Sequence, residues 1–269
     1  MEKLRILLAM LFIASIFVSC NKDSDTNTDT TLKAETISAK WNVSVASEYE
    51  SFEFNKSGNY IIVKKNMTKS TESQVILFGA YQISSNTITL SDFGKMTVSD
   101  ITENSISFEL VLNNKPNDEV IITATKQTEM DNSTKTDLLC KTWELLTING
   151  ERVKGTEEEL TVLFSRAGTY FVDLHDYEEG EEGRGGLAEW KWKDKNESKI
   201  LYSWDNWGDY GEVSIIELNK DKLVIWEDYG VDGEDTFVLQ PLQNSKSSTV
   251  KSTSISKTNL NVRKGFLNK

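Results

Sequence analysis

One histidine, two cysteines and a large excess of carboxylates carry whatever covalent or acid–base chemistry this sequence holds. His175 lies in Asp173-Leu-His-Asp-Tyr-Glu-Glu-Gly-Glu-Glu-Gly-Arg-Gly-Gly186, where two-residue alternation on a strand would set Asp173 and His175 on one face. Several loop carboxylates suit calcium, and an imidazole beside a carboxylate suits a transition metal. The run lacks the Asp-x-Asp-x-Asp-Gly order of a defined calcium loop, so it reads as a solvated acidic hairpin tip, as does Glu227 to Asp235. No metal and no cofactor is assigned. There is no Gly-x-Ser-x-Gly, no His-Glu-x-x-His and no phosphate-binding Gly-Lys-Ser/Thr, and one imidazole with one spare thiol does not compose a familiar triad. A carboxylate pair of the glycosidase kind stays open, because pairing is a matter of space, but the absence of motifs favours a protein that is not an enzyme.

Aromatic side chains offer the other chemistry. Six of the seven tryptophans, Trp143, Trp190, Trp192, Trp204, Trp207 and Trp226, fall in the second half of the chain. On a strand, Trp190 and Trp192 share a face, where they line an apolar cavity, offer platforms for sugar rings, or fill a core. Trp204-Asp-Asn-Trp207-Gly-Asp-Tyr210 has glycine and polar residues between its rings, which places it in a turn, where aromatics carry more functional weight. The candidate ligand-binding set is Trp190, Trp192, Trp204, Trp207, Tyr210 and Trp226.

The elements that must hold these rings are repeated. Trp41-Asn-Val precedes Phe54-Asn-Lys-Ser-Gly58-Asn-Tyr60, and Trp143-Glu-Leu precedes Phe164-Ser-Arg-Ala-Gly168-Thr-Tyr170. The shared Phe-x-x-x-Gly-x-Tyr puts glycine where a hairpin turn needs positive φ, between aromatics at strand positions. Downstream, Gly79-Ala-Tyr81 and Ile88-Thr-Leu90 answer Gly186 to Trp192 and Ile200-Leu-Tyr202. Runs rich in β-branched and aromatic residues centre near Trp41, Phe52, Tyr60, Val75, Ile88, Val98, Ile106 and Ile121. They recur near Trp143, Val162, Phe171, Trp190, Leu201, Val213, Val224 and Val238. No stretch offers a long amphipathic helix. Eight short sequential strands per unit predict an all-β chain of two consecutive up-and-down barrels, with a β-sandwich as the rival. An opening Trp, Phe-x-x-x-Gly-x-Tyr, Gly-x-Tyr/Trp and Ile-x-Leu together resemble the compact lipocalin-like domains of exported Bacteroidetes lipoproteins. That resemblance implies a barrel able to enclose one small ligand.

Ahead of the first unit, Lys3 and Arg5 precede an apolar stretch from Ile6 to Val18, within the roughly 7–15 residues of a signal-peptide core and short of the ~20 of a spanning helix. Phe17-Val-Ser-Cys20 resembles the lipobox of bacterial lipoproteins, which implies cleavage before Cys20 and a lipid on its thiol. An ordinary secretory signal with an incidental cysteine is the alternative. Exported domains stabilised by disulfides carry several cysteines, whereas only Cys140 remains here, which reads as a small buried apolar side chain unless it bonds Cys20. Asn21 to Thr36 is too polar to bury a core and reads as a tether. Lys22-Asp-Ser-Asp25 resembles an export signal to the outer face of the outer membrane, and Asp29-Thr-Thr31 a glycosylation site of the same bacteria.

The expected divisions are therefore a signal peptide over 1–19, an acylated cysteine and tether over 20–36, barrels over 37–130 and 138–242 joined by a linker over 131–137, and a disordered basic tail over 243–269. The second unit carries 11 basic and 24 acidic residues, the first 8 and 11, and the tail six basic and none acidic. A folded part without a basic surface makes nucleic acid an unexpected partner. The expectation is a non-enzymatic protein anchored to the cell envelope through Cys20, binding a small apolar or amphipathic ligand in a barrel, most of all the second. The alternative is a surface module that binds glycan or protein through loop aromatics.

Overall fold

The computed structural model describes residues 32–44, 47–65, 74–174, 185–204, 207–242, 255–256 and 265–267. The signal segment, Cys20, the tether up to residue 31, His175 with the acidic run after it, and most of the basic tail lie outside the described residues.

Two eight-stranded antiparallel barrels follow one another along the chain. The first comprises β1 (Lys40–Val43), β2 (Tyr49–Phe54), β3 (Asn59–Lys65), β4 (Gln74–Ser84), β5 (Thr87–Leu90), β6 (Gly94–Ile101), β7 (Ser105–Leu112) and β8 (Lys115–Lys126), with β8 returning to pair with β1. The second runs through β9 (Thr142–Ile148), the two-residue β10 (Glu151–Arg152), β11 (Leu160–Phe164), β12 (Thr169–Leu174), β13 (Gly185–Trp192), β14 (Lys199–Ser203), β15 (Gly211–Leu218), β16 (Leu223–Asp228) and β17 (Glu234–Pro241). Here β17 closes on β9, and β10 is only the return arm of a hairpin from β9. Alternation does the sorting: Ile106, Phe108 and Leu110 point into the first barrel while their neighbours on β7 stay half-exposed. The repeated glycines do what their spacing predicts. Gly58 and Gly168 have φ of +88° and +81°, and their carbonyls accept from the N–H of Tyr81 and Trp190 at 2.8 and 2.9 Å.

Two short helices precede the barrels, α1 (Ala34–Ile37) and α2 (Thr134–Leu139). Each ends under the opening tryptophan of its repeat: Trp41 Nε1 donates to the Ile37 carbonyl and Trp143 Nε1 to the Leu139 carbonyl, both at 2.9 Å. A buried indole N–H needs an acceptor and a helix end has spare carbonyls, so each satisfies the other. Buried Leu32 and helix α1 therefore belong to the fold although they lie inside the stretch read as tether, and the expected linker is half helix. Composition hides both helices, because four and six residues are too few to display a helical period.

The barrels share a seam. Ile61, Val63, Ile76 and Phe78 on the outside of β3 and β4 form one buried cluster with Leu163 and Phe171 of β11 and β12, with Leu187 of β13 packed against it. The rings of Phe78 and Phe171 are 4.9 Å apart. Strands at the seam are buried on both faces, as the unbroken burial of Leu160 to Phe164 shows, which is why they read as apolar runs rather than as alternation. Polar bonds frame the cluster, among them Thr169 Oγ1 donating to Glu53 Oε2 at 2.6 Å and Gln127 Nε2 to the Ala167 carbonyl at 2.8 Å.

Candidate functional site

The two interiors differ, and the strand registers locate the difference. Leu90 pairs with Gly94 in the first barrel as Tyr202 pairs with Gly211 in the second. Val98 pairs with Phe108 as Ile215 pairs with Ile225. Two residues further along each of those last strands stand Leu110 and Glu227. The buried leucines Leu90 and Leu110 of one barrel are therefore a buried tyrosine and a buried glutamate in the other. An apolar pair replaced by a hydrogen-bonded polar pair does not improve a core, since taking a carboxylate out of water costs several kcal/mol before its partners offset it.

Glu227 is 3% exposed and well supplied with donors. Tyr202 Oη donates to its Oε1, and Tyr229 Oη to its Oε2 at 2.8 Å. Burial pushes the carboxyl above the ordinary glutamate range, opposed by these hydroxyls, while the charge of Asp235 adds to the rise. Burial likewise pushes the Tyr170, Tyr202 and Tyr229 phenols far above theirs, so all three keep the protons they donate.

A third component comes from far along the chain. Phe266 and Leu267 are buried in the core of the second barrel at 0% and 1% exposure. The Phe266 ring stacks on Tyr170 with centroids 4.7 Å apart, lies 6.0 Å from Phe164 and meets Tyr202 edge-on at 5.3 Å. Its N–H donates to both oxygens of Glu227 at 3.0 Å, its carbonyl accepts from Tyr170 Oη at 2.6 Å, and the Gly265 carbonyl accepts from Trp204 Nε1 at 3.1 Å. The tail expected to be disordered is therefore fixed at these residues, because an aromatic ring and three main-chain polar groups all find partners there. Ile255–Ser256 is also placed, as a two-residue strand β18 antiparallel to β4.

Loop length admits this segment. In the first barrel Asp92 and Phe93 alone separate Ser91 from Gly94, Phe93 packs against the core, and Tyr60 Oη donates to the Ser91 carbonyl at 2.8 Å. In the second, residues 204–210 separate Ser203 from Gly211, and Tyr170, the counterpart of Tyr60, donates to Phe266 instead.

The aromatic residues expected to bind ligand divide between the core of the second barrel, where Trp190 lies with Trp192 and Trp204 packed against it, and its outside. Trp190 is buried in the core with its Nε1 on the Ser165 carbonyl, and Trp192, ring to ring with it at 5.4 Å, donates to Thr136 Oγ1. Trp204 lies 5.5 Å from the Tyr170 ring and reaches the Gly265 carbonyl. Trp207 sits half-buried beneath Lys191 Nζ, 3.8 Å from its ring, and Tyr210 is 62% exposed. Trp226 alternates with inward Ile225 and Glu227, so it takes the outer face, where its Nε1 donates to Glu234 at 3.0 Å. Sequence reasoning missed Tyr170, Tyr202, Glu227, Tyr229 and Phe266. Two signals were present: an acid in phase with the apolar residues of Leu223-Val-Ile-Trp-Glu227, and a lone aromatic in a Ser/Thr/Lys-rich tail.

A second concavity, of about 170 Å³, opens at the seam between the barrels, lined among others by Glu53, Asp137, Cys140 and Arg166. Arg166 is paired with Asp137, burial pushes the Cys140 thiol up to about 12, and Glu53 Oε1 has no partner among the described residues. Among those residues no cluster of three or more metal-ligating side chains occurs. No protein-family model matches the chain, and no curated protein matches it.

Proposed function

We propose that the protein is a binding protein of the bacterial cell envelope, held there by a lipid on Cys20, and that its second barrel takes one apolar or amphipathic ligand at the mouth framed by Tyr170, Tyr202, Trp204 and Glu227. The observation that carries the reading is the replacement of Leu90 and Leu110 by Tyr202 and Glu227 around a slot that a phenyl ring fills. The repeat that only needs to be stable keeps leucines; its partner gives up stability for directed donors and an acceptor inside apolar walls, the composition of ligand sites. A ligand suited to the slot joins a planar apolar body to an N–H or O–H that Glu227 can accept.

N-Phenyl-1-naphthylamine has both features. Its fluorescence should rise on binding to the protein, and the double variant Tyr202→Leu/Glu227→Leu, which restores the first barrel's residues, should lose that response while remaining folded. An unchanged response in the double variant would sink the assignment of the site. The anchor is tested separately: Cys20→Ala should leave the protein unacylated and released from membranes, and a variant that still carries lipid would remove Cys20 from the reading. A recognition surface built on loop rings has less support, because Trp204 and Trp207 are half-buried and only Tyr210 of the three is exposed.

A further inference from the structure

The occupant of the second barrel is a stretch of main chain, and the site addresses it as main chain. Of four polar contacts, two bring the Phe266 N–H to Glu227, one brings Tyr170 Oη to the Phe266 carbonyl and one brings Trp204 Nε1 to the Gly265 carbonyl. A site for a lipid tail or a sterol has no use for three groups aimed at consecutive peptide units. The phenyl ring fills the remaining space, stacked on Tyr170 and bounded by Phe164 and Tyr202. Every partner belongs to β11, β12, β14, β16 or the loop after β14, so the segment contributes nothing to strand pairing and can leave without breaking the barrel. Its departure uncovers a buried carboxylate and an unbonded Tyr170 hydroxyl, which favours replacement by another ligand over an empty slot. Charge assists return, since the segment lies within a stretch, 243–269, with six basic and no acidic residues, facing a unit with 24 acidic and 11 basic.

We infer that the second barrel is a peptide-binding site whose resident ligand is the chain's own Gly265-Phe266-Leu267, held in cis, and that an external ligand enters by displacing it. This rests on the proposed binding role of the barrel and narrows the ligand class to a peptide segment with an aromatic residue after a small one. The resident segment sets the threshold: a tethered occupant competes at the high effective concentration its linkage provides, so a free ligand must bind the vacated barrel well to be admitted at all.

The test uses the protein ending at Lys264 and a fluorescein-labelled peptide of residues 261–269, Asn-Val-Arg-Lys-Gly-Phe-Leu-Asn-Lys. Fluorescence anisotropy should report one peptide bound per shortened chain, and at least about tenfold weaker binding to the intact chain, where the tethered copy competes. Replacing the phenylalanine of the peptide by serine should weaken binding by about tenfold to a hundredfold, the range for withdrawing a buried phenyl group. Equal binding to both chains, or none to a shortened chain that still unfolds cooperatively, overturns the inference. If the shortened chain does not fold, amide exchange in the intact protein decides: the Phe266 N–H should exchange slowly and speed up under excess unlabelled peptide, and exchange at the free-peptide rate overturns the inference. N-Phenyl-1-naphthylamine titrated into the same shortened chain separates the two readings. Dye uptake without peptide binding rejects the peptide site and keeps the barrel as a site for small apolar molecules; peptide binding without dye uptake supports the peptide site and rejects small apolar molecules as the barrel's ligands.

Discussion

A carboxylate addressed by two tyrosine hydroxyls and a main-chain N–H, inside an apolar barrel, titrates under opposed influences. At Glu227 burial wins, so the folded protein holds the carboxyl proton more tightly than the unfolded chain does. The consequence for stability has a definite sign. Below the ordinary glutamate range both states are protonated and the group is neutral in the balance; as pH rises from that range through the raised value, its ionisation costs stability, and above it the cost is constant. Thermal unfolding of Glu227→Gln should therefore lack part of the downward slope that the unmodified protein shows over that window, and parallel curves would contradict a carboxyl pKa raised by folding. The neighbouring Gly211 has a tighter constraint. A Cβ there would lie 2.2 Å from atoms of the Tyr202 ring, which forces the ring off the carboxylate. Gly211→Ala is expected to lower stability by about 1–3 kcal/mol, read from denaturant midpoints, and to weaken ligand binding through Tyr202. Both effects belong to single side chains, and the sequence held a trace of them in the phase of Glu227.

At the scale of elements, the strands were legible because their signals are local. Alternation in Ile106-Ser-Phe108-Glu-Leu110 and the turn chemistry of Gly58 and Gly168 act within a few residues, so all sixteen barrel strands fall where pattern places them. Elements fixed by distant partners were not legible. Helix α2 is held by Ser133, whose Oγ accepts from the Thr136 N–H at 2.9 Å and donates to Glu197 Oε2 at 2.7 Å, a residue between β13 and β14. Ser133→Ala removes the cap and the tie to that turn; a loss of about 1 kcal/mol is expected from chemical denaturation, with the near-ultraviolet signal of Trp143 and Trp192 reporting the loosened helix end. Outward Trp226 has the same lesson in reverse. Its ring type placed it among the candidate ligand-binding residues, but only its place beside inward Ile225 and Glu227 decides the face.

For the whole molecule the seam matters most. Because Phe78, Ile61, Phe171 and Leu163 are buried only where the barrels meet, each barrel by itself would expose an apolar patch. The two are expected to unfold in one transition, observed by calorimetry and by tryptophan fluorescence together. Phe171→Ala should cost about 3–5 kcal/mol and separate that transition into two, with the barrel containing Tyr60 and Trp41 and the barrel containing Trp143 melting apart. A single unshifted transition in this variant would mean that the Phe171 ring does not couple the barrels, and two transitions already present in the unmodified protein would mean that they are independent and merely adjacent.

The seam also bears on how two such barrels can come to share one chain. Each repeat offers corresponding strands to the other, β3 and β4 on one side and β12 and β13 on the other with Leu163 of β11 beside them, and Ile61 and Phe171 stand at matching positions. A single barrel bearing such an apolar face has to cover it, and a second copy of itself is one partner able to do so. Duplication and fusion of such a gene converts a symmetric pair into one chain in which neither half can be lost. From then on the halves need not stay alike: one can keep leucines and serve as the foundation, while mutation in its twin explores a buried acid, a longer loop and a borrowed phenylalanine.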